Sequence, residues 1–325
     1  MVPDAKKTWG GKVNSLTIGA TQASGGTRAS TVTIGGSATL PFLDFEGQCG
    51  HPAVAMEVCD TYPQEWPELL REPFGDVLGD PVRWAQKCLE MGADLICLRL
   101  EGCHPEHGNR TPAEAAQTVK QVLQGVPAPL IIWGTGNADK DNEVFPAVAE
   151  AAAGENCLMG SITEDNYKTL VAVCTAYKHK IVAESPCDVN IAKQVNILAQ
   201  DMGFPVENIV IYPTCAALGY GLEYIYSVME RGRLAGLKGD RTLAQPILCD
   251  IGIEAWGVKE ARVSEEEIPD WGSQRLRAPL WEASTAVAYL LAGCDLFILR
   301  HPEAVHAVKK TIAELTGTVA VAAAA

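Results

Sequence analysis

The chain has no C-x-x-C pair among its eleven cysteines, so it lacks the clustered ligand spacing of an iron–sulfur or zinc site. It has no apolar run near the ~20 residues of a membrane span, and its start, Met1-Val2-Pro3-Asp4-Ala5-Lys6-Lys7, has no signal-peptide apolar core. Those two absences lead us to expect a cytoplasmic protein with no membrane contact. Basic residues are few: Lys and Arg number 26 against 40 Asp and Glu, a formal net charge of −14, and they form no patch of the kind nucleic-acid binding needs. The cysteines that are present suit a reducing, even anaerobic, host and read as small buried hydrophobes rather than a disulfide framework. Hydrophobic content of 47% with 20% charged residues describes an ordinary globular chain with a large core.

What is there is a repeated handover. Eight short runs rich in branched residues stop at Gly, Pro, Asp or Ser and give way to a helical pattern. They are Pro41–Gly47, Ala93–Gly102, Pro129–Gly136, Cys157–Ser161, Lys180–Pro186, Asn208–Thr214, Pro246–Gly252 and Cys294–Pro302. Strands buried on both faces read as continuous apolar runs, and crossover helices cover parallel sheets, so the alternation predicts a parallel β/α fold. Eight such units close a (β/α)8 TIM barrel, and the chain exceeds the roughly 250 residues typical of one. We expect an N-terminal arm over 1–40, with a hairpin of Val13–Ile18 and Thr31–Ile34, then the barrel over 41–317 and a fraying alanine-rich tail over 318–325. The Gly25-Gly26-Thr27-Arg28 stretch reads as the hairpin loop rather than an anion cradle, since no helix follows it.

Helices are expected at Asp80–Met91, Thr111–Gln124, Asn142–Ala153, Glu164–Tyr177, Asp188–Met202, Leu218–Leu237, Pro279–Ala292 and Glu303–Leu315. Asp80-Pro81 and Thr111-Pro112 are N-cap/N1 pairs, and Gly92 and Gly203 are stops. Long connections, Cys49–Gly79 after the first run and Ile253–Arg277 after the seventh, fall at the end of the barrel where ligands and partners bind.

Those connections carry a resemblance. His51-Pro52-Ala53-Val54-Ala55-Met56-Glu57-Val58-Cys59-Asp60, Trp66-Pro67-Glu68-Leu69-Leu70, Asp76-Val77 and Asp80-Pro81-Val82-Arg83-Trp84-Ala85 resemble the small, delta-type subunit of the corrinoid iron–sulfur protein of the carbon monoxide dehydrogenase/acetyl-CoA synthase system. The likeness continues through Gly92–Ile96, Ile209–Thr214 and Gly293–Leu296. It implies a barrel paired with a larger subunit in a heterodimer. That partner would hold the [4Fe–4S] cluster and a corrinoid domain, with cobalamin between that domain and this barrel. The methyl group would pass from methyltetrahydrofolate, through its methyltransferase, to acetyl-CoA synthase in the reductive acetyl-CoA (Wood–Ljungdahl) pathway. The residues agree with a passive half. There is no cysteine cluster, and Cys103-His104-Pro105-Glu106-His107-Gly108 lacks the aspartate and spacing of a D-x-H-x-x-G cobalamin fingerprint.

The rival reading is an active enzyme. Related pterin-dependent methyltransferases hold the pterin with an Asp after the third strand, an Asn after the fourth and an Asp after the sixth, groups that match the ring's donors and acceptors. Here Ile131-Ile132-Trp133-Gly134 offers no acid, Gly160 stands for the Asn and Tyr212 for the Asp. Polar residues remain at the mouth, and we expect Asp44, Arg99 and Glu184 to form a buried ion network. Asn137, Asp188 and Thr214, just past strand ends, are the candidates for facing the amide side chains of a corrinoid, although Asp188 is equally placed to cap a helix. His104 and His107, near Glu101 and Glu106, form too thin a set for us to assign a metal. Trp66, Trp84, Trp133, Trp256, Trp271 and Trp281 serve either packing of the long connections onto the barrel or a subunit interface. A third reading, a structural barrel that meets no corrinoid, stays open.

Overall fold

The computed structural model describes residues 6–318. Two short strands, β1 (Ser15–Ile18) and β2 (Val32–Gly35), pair antiparallel as the expected hairpin. Eight parallel strands follow: β3 (Ala53–Cys59), β4 (Leu95–Arg99), β5 (Leu130–Trp133), β6 (Leu158–Ile162), β7 (Lys180–Glu184), β8 (Ile209–Tyr212), β9 (Leu248–Asp250) and β10 (Leu296–Leu299). Their order is β8-β7-β6-β5-β4-β3-β10-β9, and a parallel bridge between Ile211 and Ile247 joins the two ends into a barrel. A helix follows each strand on the outside, and the expected helices are all present with ends shifted by a few residues.

Local chemistry explains where helices begin. Asp80 accepts hydrogen bonds from the backbone N–H of Val82 and Arg83, both at 3.1 Å, with Pro81 as first helical residue. Thr111 and Glu114 form a reciprocal capping box. Asp80→Ala should cost about 1 kcal/mol, the usual worth of an N-cap, read as a lowered urea midpoint at unchanged slope.

One expected strand is corrected. Pro41–Gly47 is not the first barrel strand but a pair of turns, with Leu43 N–H donating to Leu40 O and Glu46 N–H to Leu43 O. Phe42 has φ +59° and Phe45 is exposed, neither compatible with a central strand. The first barrel strand is β3, inside the segment expected to be an insertion, and all seven of its residues are buried. The long connection after it therefore starts at Asp60.

The N-terminal hairpin closes the far end of the barrel. Leu16, Ile18 and Ile34 are buried in the core, and the hairpin bonds to residues just ahead of strands. Gly19 N–H donates to Asn156 O, Ala29 N–H to Pro127 O, and Asn14 N–H to Ala244 O. The Gly25–Arg28 loop does cradle an anion, but one of the chain's own. Glu155 accepts from Thr27 N–H at 3.1 Å, Thr27 Oγ1 at 2.9 Å and Arg28 Nε at 2.8 Å. Arg28 also donates to the carbonyls of Leu123 and Val126. The hairpin thus covers the end of the barrel opposite the carboxyl ends of its strands. Among the described residues no helix is long and apolar enough to cross a membrane.

Candidate functional site

Four charged side chains meet inside the barrel at the carboxyl ends of the strands. Arg99 Nη2 lies 3.2 Å from Glu57 Oε2 and 2.6 Å from Asp250 Oδ2, while Arg300 Nη2 lies 2.8 Å from Glu57 Oε1. The expected trio is thus corrected in two members. Asp44 is exposed in the turn before β3, and Glu184 accepts instead from Ser161 Oγ. Only Arg99 sits where it was expected. Burial would raise the Glu57 carboxyl, but the guanidinium groups of Arg300 and Arg99 outweigh it and hold it at about 2. Asp250 is bonded to Arg99 alone, and there burial, with the nearby Glu57 charge, outweighs Arg99 and the more distant Arg300 and raises the carboxyl. Glu57 was missed because its segment read as an insertion; the available signal was a lone acid within the apolar run Ala53–Cys59.

The centre of the mouth is filled. Trp133 and Tyr212, from the ends of β5 and β8, pack edge to face with ring centroids 5.4 Å apart. Arg99 lies over the Trp133 ring at 5.3 Å. Both rings are 7% exposed, and burial pushes the Tyr212 phenol well above its ordinary range. The ends of the third and sixth barrel strands therefore present interlocked aromatic rings.

The three rim candidates stand past their strand ends, half-buried, each with a local bond. Asn137 Oδ1 accepts from Lys140 N–H at 3.0 Å, and Asp188 Oδ1 accepts from Asn190 N–H at 2.6 Å, so both cap helices. Thr214 Oγ1 donates to Pro213 O at 2.6 Å. Thr214 and Cys187 hold left-handed backbones, φ +61° and +51°, on neighbouring strand ends, and the buried Ser185 hydroxyl just past β7 has no hydrogen-bond partner. Such conformations cost on the order of 1–3 kcal/mol each and cluster at functional sites.

On the other side of the mouth a cavity of about 510 Å3 opens between β3, β4 and the connections that follow β3 and β9. Glu57, Cys59 and Arg300 form its inner wall, Trp66 and Trp256 its sides, and Glu101, Glu106, His107 and Arg262 belong to its lining too. The tryptophans of the connections mostly pack onto their own barrel. Trp66, Phe74 and Trp84 form one aromatic cluster with centroids 5.3–6.2 Å apart, and Trp256 stacks on His301 while donating to Glu282 at 2.8 Å. His107 Nδ1 lies 3.0 Å from Glu101 Oε2. Among the described residues no group of three or more His, Cys, Asp or Glu is placed to hold a metal ion. Nine cysteines are buried, Cys49 is half-buried and Cys187 is exposed.

Among solved structures, dihydropteroate synthases share this fold. The Xanthomonas albilineans enzyme with 4-aminobenzoic acid superposes at TM-score 0.55 with 15% identity, over 83% of this chain and 94% of that one. The Thermus thermophilus enzyme in complex with 6HMPPP gives 0.53 with 14% identity, over 83% and 95%. At that identity the likeness is one of fold. Sequence relatives are much closer. The acetyl-CoA decarbonylase/synthase complex subunit delta of Archaeoglobus fulgidus is 39% identical over 97% of this chain and 71% of its own length. The subunit of the same name from Methanopyrus kandleri is 38% identical over 93% and 75%, and that from Methanosarcina mazei 36% over 96% and 72%. Residues 16–314 match the family model of the CO dehydrogenase/acetyl-CoA synthase delta subunit. With that match spanning the hairpin, the barrel and the mouth, the chain belongs to the CO dehydrogenase/acetyl-CoA synthase delta subunit family.

Proposed function

We infer that this chain works as a subunit of an acetyl-CoA decarbonylase/synthase complex, as the small half of a heterodimeric corrinoid methyl carrier. In this reading a larger subunit holds both the [4Fe–4S] cluster and the corrinoid domain, and this barrel covers the cobalamin. Cobalamin held there would supply methyl-transfer chemistry between methyltetrahydrofolate and acetyl-CoA synthase, with Asn137, Asp188 and Thr214 of this chain facing it. The residues present fit a cap rather than an enclosing site. Asn137, Asp188 and Thr214 offer half-buried polar groups around the rim, and the strained ends at Cys187 and Thr214 hold that rim in one shape. The charges beneath are paired among themselves, and the filled mouth keeps water from the covered face, which suits a reactive, easily oxidised reduced metal.

The observation that carries the reading is the Trp133–Tyr212–Arg99 stack in the centre of the mouth of a delta-family barrel. It favours a barrel without a pterin site over the rival, a pterin-dependent methyltransferase. The isolated chain should therefore neither bind methyltetrahydrofolate in calorimetric titration nor methylate free cob(I)alamin. Turnover by the isolated chain would establish the rival.

A further inference from the structure

The helix Gln274–Ala292, between β9 and β10, presents an outward face unlike that of its neighbour. Leu276, Leu280, Ser284, Val287 and Leu291 follow one another at steps of four, four, three and four residues, which puts them in one stripe about 22 Å long. Leu276 is 71% exposed, Leu280 63% and Leu291 48%. From residue 278 to 292 the one charged residue is Glu282, and it is fully buried beneath the helix. The next helix, Pro302–Leu315, exposes Glu303, Lys310 and Glu314, as an outer barrel helix ordinarily does.

Trp281 links this stripe to the rim of the mouth. After β8, residues 216–220 are fastened to the same helix by three side chains one turn apart. Trp281 Nε1 donates to Leu218 O at 3.1 Å, Leu218 N–H donates to Thr285 Oγ1 at 3.2 Å, and the Tyr289 hydroxyl donates to Ala216 O at 2.8 Å. Leu218, Tyr220 and Tyr224, all exposed, start from a segment already ordered, which lowers the cost of binding through them.

Large apolar side chains gathered on one exposed face mark a contact surface, and faces this poor in charge belong to permanent partners more than to transient ones. The border narrows the partner. The connection leading into the helix exposes Glu265, Glu266, Glu267 and Asp270. Arg277 beside them spends its guanidinium on the carbonyls of Glu260, Val263, Trp271 and Gly272. An acidic border favours a partner whose own apolar patch is edged with Lys and Arg. It disfavours a second copy, which would bring the same border and another −14 of net charge.

We propose that this face, Leu276, Leu280 and Leu291 together with Leu218, Tyr220 and Tyr224, is where the larger subunit docks, through an apolar patch bordered by basic residues. The inference rests on the heterodimer reading above and adds its location. A partner seated here meets the rim of the mouth beside β8, so it grips the barrel and reaches the mouth from one surface.

The test is the dissociation constant of the co-expressed heterodimer, by sedimentation velocity and biolayer interferometry, for the unmodified chain and for Leu280→Arg, Leu276→Arg and Ile197→Arg. Ile197 is exposed on the helix Val189–Asp201, so its variant makes the same change of charge elsewhere. Each leucine variant should weaken the heterodimer by about a hundredfold at an unchanged thermal midpoint, and Ile197→Arg should leave it as it was. Glu266→Lys/Glu267→Lys should slow association at low salt and have little effect at high salt. A heterodimer indifferent to both leucine variants, or weakened equally by Ile197→Arg, overturns the docking face and leaves the heterodimer reading standing. Association unaltered by the two lysines overturns the basic border. A homodimer that Leu280→Arg dissociates overturns the assignment to the larger subunit. An unmodified chain that binds no larger subunit overturns the heterodimer reading together with this one.

Discussion

Replacing Glu57 with leucine should lower stability by about 3–5 kcal/mol, the usual cost of removing one partner from a buried ion pair. Glu57 is fully buried and, among the described residues, is the carboxylate paired with the Arg300 guanidinium, while Arg99 would keep only Asp250. Leucine matches the space but leaves two guanidinium groups in the barrel with one acid between them. Urea denaturation read by tryptophan fluorescence gives the number. Adding Arg300→Met to the variant should recover part of the loss, because the second change removes the stranded charge. A loss under about 1 kcal/mol for the single variant would show that the network is more hydrated than its burial indicates.

The second large effect is one of pH, at the joint between the helix Gln274–Ala292 and the end of β10. Glu282 is fully buried and accepts from Trp256 Nε1, Arg300 N–H and His301 N–H. Burial pushes its carboxyl up to about 7 in spite of those three donors. An unfolded chain gives up this proton near 4.5, so from there to about 7 the native state binds more protons, and stability from this group falls as pH rises. The loss levels off above about 7 at roughly 3 kcal/mol. His301 opposes it: burial lowers its imidazole to about 4, so its contribution rises with pH between about 4 and 6.5. The two act in opposite directions in the native sequence. Glu282→Gln removes one arm, and relative to the parent its thermal midpoint should improve by about 4–5 °C between pH 4.5 and 8. A constant difference across that range would mean that Glu282 stays ionised throughout.

Periodicity made seven of the eight barrel strands legible, and all eight helices, because buried parallel strands and capped helices leave local marks. The missed strand shows the limit of that signal. Pro41-Phe42-Leu43 and Phe45 are as apolar as β3, and nothing local says that Phe42 takes a left-handed backbone while Ala53–Cys59 enters the sheet. The same displacement hid Glu57 and with it the ion network, whose members are separated by up to 243 residues along the chain. Contacts of that range follow from barrel closure and register, which no short window of sequence contains. That the third and sixth strands end without an acid was legible because strand ends are marked locally. What stands there instead, two rings packed edge to face under Arg99, emerged only when β4, β5 and β8 were placed side by side. Asn137 and Asp188 were chosen for lying past strand ends; their helix caps show why those residue types fit there locally, and the corrinoid contact remains a proposal that the caps neither require nor oppose.

The most direct test of the account is to purify this chain with whatever it binds in its native cells and to count subunits, cobalt and iron in the same sample. We expect one larger subunit per chain, one cobalt and the four irons of a single [4Fe–4S] cluster, both carried by the partner. A corrinoid-free homo-oligomer that binds methyltetrahydrofolate would contradict the account and make this barrel an enzyme in its own right.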